Sequence, residues 1–287
     1  MKRIGTIGLA AFLASVLAGT ALAATAPNLG TADSFAVLAG TTITNTGSTT
    51  ITGDVGLHPG DAITGFASVT LNGAQHIGDA VASGAKDDLV GAYNDAAGAT
   101  PVNNVPTELG GTTLTPGVYA SATLGLTGTL TLDGQGVYIF QAGSTLITAP
   151  GSSVELINGA SACDVYWQVG SSATLDTTTS FKGTIMALTS IALNNGVTLE
   201  GRALARNGEV TMINDTIDSS ACAAAPSPTA TPKPGATGTP PASDTIASTP
   251  AGSTQRGIPI LLALLAIFAV GVVGSLRRAS ARSRSRD

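Results

Sequence analysis

Gly117-Val118-Tyr119-Ala120-Ser121-Ala122-Thr123-Leu124-Gly125-Leu126-Thr127-Gly128-Thr129-Leu130-Thr131-Leu132-Asp133 packs three strand-like pieces into one short run. Related openings follow at Gly136-Val137-Tyr138, Asp164-Val165-Tyr166, Gly183-Thr184-Ile185 and Gly201-Arg202-Ala203. A period of about 20 residues that joins apolar alternation to Gly, Asn, Asp and Ser turns is the mark of a β-solenoid, each repeat forming one coil.

Within a coil the three pieces make three rows of the stack. In the third row Leu130 and Leu132 alternate with Thr129, Thr131 and Asp133, and the period of two returns at Val154 and Leu156 and at Val197 and Leu199, so one side faces the core and the other water. The first row is different. Val137-Tyr138-Ile139-Phe140, Val165-Tyr166-Trp167 and Ile185-Met186-Ala187-Leu188 are apolar on both alternations, and a strand apolar on both faces is covered on both. The cover is a helix expected over about residues 75–97, with Ile77, Val81, Ala85, Leu89, Ala92 and Ala96 at helical spacing and Asp79, Lys86, Asp87 and Asp95 elsewhere on the wheel. The expected fold is mostly β, a triangular solenoid with one side plated by a helix and two sides open.

The 287-residue chain divides further by composition. Residues 1–23 read as a secretory signal: Lys2 and Arg3, an apolar stretch, and Ala21-Leu22-Ala23 as a small-residue cleavage site. Residues 24–222 are the solenoid domain. Residues 223–257 turn to Pro, Thr, Ser, Ala and Gly and read as an extended spacer. Residues 258–276 are nearly unbroken apolar sequence of bilayer-spanning length, followed over 277–287 by Arg277, Arg278, Arg282, Arg284 and Arg286, a basic tail that the positive-inside rule places in the cytoplasm. The expectation is an exported, cell-surface protein held in the membrane by one C-terminal helix.

The two cysteines, Cys163 and Cys222, lie in the exported part and are expected to form one disulfide; two Cys without a neighbouring His make no tetrahedral metal set. Lys86, Lys182, Arg202 and Arg206 are the only basic residues of the solenoid domain, and acidic residues outnumber them several-fold. That balance argues against nucleic acid as a partner.

Catalytic motifs are lacking: there is no GxSxG, P-loop, HExxH or dinucleotide fingerprint. His58 sits in a turn before Pro59, and His76 is expected at the helix start in a solvent-facing or capping role. A carbohydrate-active β-helix would have to draw on Asp164, Asp176, Lys182, Glu200, Arg202 and Arg206, which spread over three coils without paired carboxylates. The chain therefore reads as no enzyme, with no cofactor and no small-molecule substrate.

What repeats on the outside is threonine, near the handover from second to third row: Thr127-Gly128-Thr129, Thr148-Ala149-Pro150, Thr177-Thr178-Thr179 and Asn195-Gly196-Val197-Thr198, with Thr46-Gly47-Ser48-Thr49 and Thr64-Gly65-Phe66-Ala67 nearer the N-terminus. For one segment, β-propensity and turn chemistry account for it. As a column, these residues form a ladder of hydroxyls and methyls at about 4.7 to 4.9 Å per coil, close to oxygen repeats in ice, and a rigid surface of this kind can hold an ice-like water layer.

Three further stretches give the chain a resemblance: residues 29–40 (Leu29-Gly30-Thr31-Ala32-Asp33-Ser34-Phe35-Ala36-Val37-Leu38-Ala39-Gly40), Ile51-Thr52-Gly53-Asp54-Val55-Gly56, and Val165-Tyr166-Trp167-Gln168-Val169-Gly170-Ser171-Ser172-Ala173-Thr174-Leu175, completed by Gly201-Arg202-Ala203-Leu204-Ala205-Arg206-Asn207-Gly208. Through them the chain resembles the secreted microbial ice-binding (antifreeze) proteins. The resemblance implies a right-handed, discontinuous β-solenoid with a long helix alongside, and ice binding through one flat side that often carries a Thr-Ala/Gly-x-Thr/Asn pattern. Thr46-Gly47-Ser48-Thr49 fits that pattern fully, and Asn195-Gly196-Val197-Thr198 fits with Asn first. The expected ice-contacting residues are Thr46, Thr49, Thr64, Thr127, Thr129, Thr148, Thr177, Thr179, Asn195 and Thr198, and the expected partner is the ice surface. The competing expectation is a surface adhesion or structural module that keeps the scaffold without ice activity.

Overall fold

The structure, a computed structural model, describes residues 24–222. Their strands pair in parallel into a 15-stranded and a 7-stranded sheet, wrapped around one core. The 7-stranded sheet is the second side of the triangle; the larger sheet forms both the first and third sides. It is continuous because Ser180–Ala187 and Thr198–Ala205 run through the corner without a break. Gly183 and Gly201, opposite one another at that corner, have φ of 107° and 144°, and a Cβ on Gly201 would lie 2.0 Å from the Gly183 carbonyl oxygen. Only glycine turns the strands so sharply with coils so close.

The chain does not stack in sequence order. Phe35–Ala39 lies between Thr198–Ala205 and Asp54–Leu57, so the N-terminal coils complete the stack beyond the C-terminal one. The same junction recurs on the second side, Thr42–Thr46 against Val210–Ile213, and on the third, Thr49–Thr52 against Thr216–Asp218. One latch fastens it, and a disulfide anchors the C-terminal residue that the latch also holds. The buried Arg202 donates to Asp33 Oδ1 at 2.6 Å and to the Cys222 carbonyl at 3.0 Å, and Cys163 is disulfide-bonded to Cys222.

The doubly apolar first row is covered as expected. Val118, Ile139, Tyr166, Met186 and Leu204 pack outward with Ala85, Leu89, Ala92 and Ala96 of helix α1, Ala80–Ala97. The inward alternation builds an aromatic stack: Tyr119 to Phe140 at 5.6 Å, Phe140 to Trp167 at 4.0 Å, Trp167 to Phe181 at 4.8 Å between ring centroids. Such pairs add about 0.5–1.5 kcal/mol each beyond the area they bury. The repeat openings do not align as their similar letters suggest: Gly117 lies opposite Tyr138, and Tyr138 opposite Val165. Register follows the ring stack rather than the Val-Tyr pair.

The helix is shorter than expected. Gln75–Ile77 is a strand, and Asp79 caps α1 by accepting from the Ala82 N–H at 2.8 Å while its other oxygen meets His76 Nδ1 at 2.8 Å. His76 thus lies on the terminal strand and not in the helix. Val81 remains 49% exposed, whereas Lys86 is buried: its stem covers apolar surface and its ammonium donates to the Ala205 and Arg206 carbonyls. Burial, with Arg206 nearby, brings the Lys86 pKa down to about 8. At the other helix end Gln141 Nε2 donates to the Ala96 carbonyl at 2.8 Å, satisfying one of the orphan acceptors.

The expectation of a cell-surface protein anchored by a C-terminal membrane helix is corrected. Among the described residues no helix is long and apolar enough to cross a membrane, and α1, the one α-helix there, is bound into the folded domain. The segments on which the signal, spacer, anchor and basic-tail expectations rested, residues 1–23 and 223–287, lie outside the described residues.

Candidate functional site

The two sides not covered by α1 differ in what they present. The second side stacks Leu124–Leu126, Leu146–Thr148, Ala173–Leu175, Ile191–Leu193, Val210–Ile213, Thr42–Thr46 and Ala62–Thr64. Its strands are short, and the residues flanking each centre turn inward: Leu124 and Leu126, Ala173 and Leu175, Ile191 and Leu193, Val210 and Met212 are all buried. The central residue therefore points out. Read through the ladder, the outward column is Gly125, Ile147, Thr174, Ala192, Thr211, Thr44 and, at the end of its strand, Thr64, each opposite the next. No register shift interrupts the column, whereas the first side has one between Phe35 and Val37. These seven residues are uncharged, and Glu108, bridged to Gly125, closes the column at one end. Ser172, Ser190 and Glu209 precede the first inward residues of three strands, and Glu209 accepts from Thr42 Oγ1 at 3.2 Å.

The third side carries hydroxyls in one column and charge in the next. Thr129, Ser153, Ser180, Thr198, Thr216, Thr50 and Thr70 share one register. Two residues further along come Glu155, Lys182, Glu200 and Asp218, with Lys182 ion-paired to Glu200. Ions hold water in geometries other than that of ice, and the second side, with Glu209 beside its column and Glu108 at its end, carries fewer of them than the third, so it is the better template for an ordered layer.

Of the ten expected contact residues, seven divide among three places and three are buried. Thr64 stands in the central column of the second side, and Thr46 is exposed at the end of its strand, opposite Ile213. Thr127, Thr177 and Asn195 border the corner that follows that side. The Thr127 hydroxyl donates to Glu108 at 3.1 Å, and Asn195 accepts from Asn214 at 2.7 Å. Thr129 and Thr198 belong to the third side.

Thr49, Thr148 and Thr179 are corrected outright, being 1%, 2% and 1% exposed. Thr148 takes the inward position opposite Leu126, and its hydroxyl meets that of Thr179 and accepts from the Asp176 N–H. Thr49 accepts from the Asp215 N–H at 3.1 Å. Their hydroxyls satisfy corner backbone and leave no group for a surface ligand. The sequence reading missed Thr44, Thr174 and Thr211. The signal was present as a polar or small residue between two apolar ones, in Ala173-Thr174-Leu175 and Val210-Thr211-Met212.

The residues weighed for catalysis do not converge. Arg202 is tied to Asp33, Lys182 to Glu200, and Arg206 lies 4.6 Å from the Tyr93 ring centroid. Asp176 accepts from the Thr177 N–H and from Asn194 at the corner.

A family model described as ice-binding-like matches residues 37–218. An ice-binding protein of Nostoc sp. (strain HG1) is 48% identical over 209 residues, covering 70% of this chain and 77% of that protein. Among solved structures, an ice-binding protein from an Antarctic biological consortium superimposes with a TM-score of 0.67 at 50% identity, over 68% of this chain and 91% of the other. An ice-binding protein domain of Shewanella frigidimarina gives 0.65 at 32%, over 69% and 98%.

Proposed function

Because this chain belongs to the ice-binding-like family, we propose that its ice-binding activity resides in the second side of the solenoid, through the column Gly125, Ile147, Thr174, Ala192, Thr211, Thr44 and Thr64. The observation that carries the assignment is the unshifted, uncharged register of that column over seven coils. Parallel strands at about 4.8 Å spacing present methyls and hydroxyls at a repeat close to that of ice. Exposed Ile147, 53% accessible, and the Thr methyls fill between lattice waters while the Thr hydroxyls bond to them. The process is adsorption: no covalent step, cofactor or metal enters it.

The surface is preformed, since its strands are fixed by buried neighbours on one face and by ladder bonds along both edges, so little order has to be imposed on binding. Thr46, Thr127, Thr177 and Asn195 border the contact and extend it toward the corner.

The test is partition into slowly grown ice. The protein should enter the ice phase, and Thr174→Tyr, which raises a ring above the plane at mid-column, should remain in the liquid with an unchanged circular dichroism spectrum. Equal entry of wild type and Thr174→Tyr would remove this site.

A further inference from the structure

The chain has four tyrosines, and a buried phenol ordinarily finds a partner for its hydroxyl. Three do: Tyr93 donates to the Val169 carbonyl at 3.2 Å, Tyr119 to that of Thr115 at 2.6 Å and Tyr138 to that of Gly134 at 2.8 Å. Tyr166, only 7% exposed, has no such acceptor among the described residues. Burial holds its pKa above the ordinary value, so the hydroxyl keeps its proton and remains a donor. The residue lines a notch of about 230 Å³ with Pro27, Asn28, Leu29, Gly30 and Asp33.

The notch falls below the roughly 300–1,000 Å³ of small-molecule sites, a size that suits one or two amino-acid residues. Its one acid, Asp33, is already matched by Arg202, so an uncharged occupant fits. The chain itself arrives at this place. Arg202 Nη2 donates to Asp33 Oδ1 on the notch wall at 2.6 Å and to the Cys222 carbonyl at 3.0 Å, and the disulfide ties Cys222 to Cys163, close in sequence to Tyr166. Residues 223–287 follow, opening with Ala223-Ala224-Ala225-Pro226-Ser227-Pro228, which are small and uncharged. Pro226 and Pro228 favour an extended backbone and carry no N–H, so carbonyls outnumber donors in this run. At about 3.1 Å per extended residue, the run is long enough to cross a notch that begins one guanidinium away. The N-terminal end starts elsewhere, since Thr25 and Ala26 lie beside Asn94 and Asp95 near the C-terminal end of α1.

We propose that the notch seats residues 223–228 of the same chain as an extended strap, one carbonyl of which accepts from the Tyr166 hydroxyl while a small side chain or proline ring covers Leu29. The strap joins the Arg202 latch and the disulfide in tying the C-terminal end of the domain to the segment Pro27–Gly30, so that the chain beyond Pro228 departs from a fixed point. None of the notch residues belongs to the column assigned to ice, and the inference does not depend on that assignment.

The test uses the full chain, with alanine methyls labelled for nuclear Overhauser measurements and with elastase, which cuts after small residues. Cross-peaks should join the Tyr166 ring to the methyls of Ala223, Ala224 or Ala225 or to the Pro226 ring. They should vanish when Ala224→Asp and Pro226→Asp are combined, changes outside the folded domain that place charge over Leu29. Tyr166→Phe keeps the ring and removes the donor: elastase cleavage within Ala223–Ala225 should speed up about fivefold, the worth of one net hydrogen bond, while cleavage at Ala236 and Ala242 of the same chain stays unchanged. Absence of the cross-peaks, equal cleavage of wild type and Tyr166→Phe within Ala223–Ala225, or cross-peaks that arise only between a labelled and an unlabelled molecule, as a second copy's segment would give, would each overturn the proposal.

Discussion

The hydroxyls of Thr148 and Thr179 lie 2.8 Å apart inside the corner between the second and third sides, both residues almost fully buried. The coil from Thr148 to Ser153 is longer at this corner than its neighbour at Leu126 to Thr129, and the extra backbone would enter the core unpaired without these groups. Ser152 completes the arrangement, donating to the Leu126 carbonyl at 2.8 Å.

Thr148→Val keeps the shape and removes the acceptor of the Asp176 N–H. The cost should be about 1–3 kcal/mol of unfolding free energy, the price of leaving a buried polar group unmatched. Denaturant unfolding measures it. Ice activity at low temperature should be unchanged, which separates this threonine from those of the exposed column.

Asp215 is 1% exposed and accepts from the Val197 and Ile213 N–H groups at 2.9 and 2.7 Å. Burial pushes its pKa up to about 7, against the opposing pull of those hydrogen bonds. With the folded value above the unfolded one, the folded state holds the proton more tightly. The contribution of Asp215 is therefore fully present below about pH 4 and lost as pH rises through 7. Unfolding free energy measured from pH 4 to 7 should decline in wild type by more than in Asp215→Asn. Equal slopes would show that the carboxyl does not titrate in this window.

The disulfide joins residues 59 apart in sequence, at the latch where Arg202 also holds the Cys222 carbonyl. Replacing both cysteines by Ala should cost about 2–5 kcal/mol. It should also raise amide exchange first in Thr216–Asp218, which leads to Cys222, and in Thr198–Glu200 paired beside it. Exchange that rises uniformly would argue against a local latch.

Trp167 stacks on two rings and has its indole N–H matched. Truncation to Ala removes the middle of the stack, and about 3–5 kcal/mol should be lost. If the fold survives, amide exchange should rise at the Gly183 corner, because the Lys182 carbonyl loses its indole donor.

Much of this architecture could be read from particular residues. Val137-Tyr138-Ile139-Phe140, apolar on both alternations, required a cover, and α1 provides it through Ala85, Leu89, Ala92 and Ala96. Coil register was harder to read, since the similar letters of Val118-Tyr119 and Val137-Tyr138 concealed a two-residue slip set by ring stacking. The start of α1 differs from the reading because Ile77 falls at helical spacing from Val81 by coincidence, while Gln75–Ile77 serves as the terminal strand. At the site, threonine alone was a poor guide: Thr49, Thr148 and Thr179 satisfy corner backbone, whereas Ala192 and Gly125 stand in the exposed column without a hydroxyl. Place in the ladder register, not residue type, decides which side chains meet the surface.

The most direct test compares thermal hysteresis for two tyrosine variants on different sides, Ala192→Tyr in the central column and Thr198→Tyr in the hydroxyl column of the third side. Both sites are accessible to solvent, and both variants should fold. Loss of most hysteresis with Ala192→Tyr and retention with Thr198→Tyr is the predicted result. Retention with Ala192→Tyr and loss with Thr198→Tyr would contradict the assignment and move ice binding to the third side.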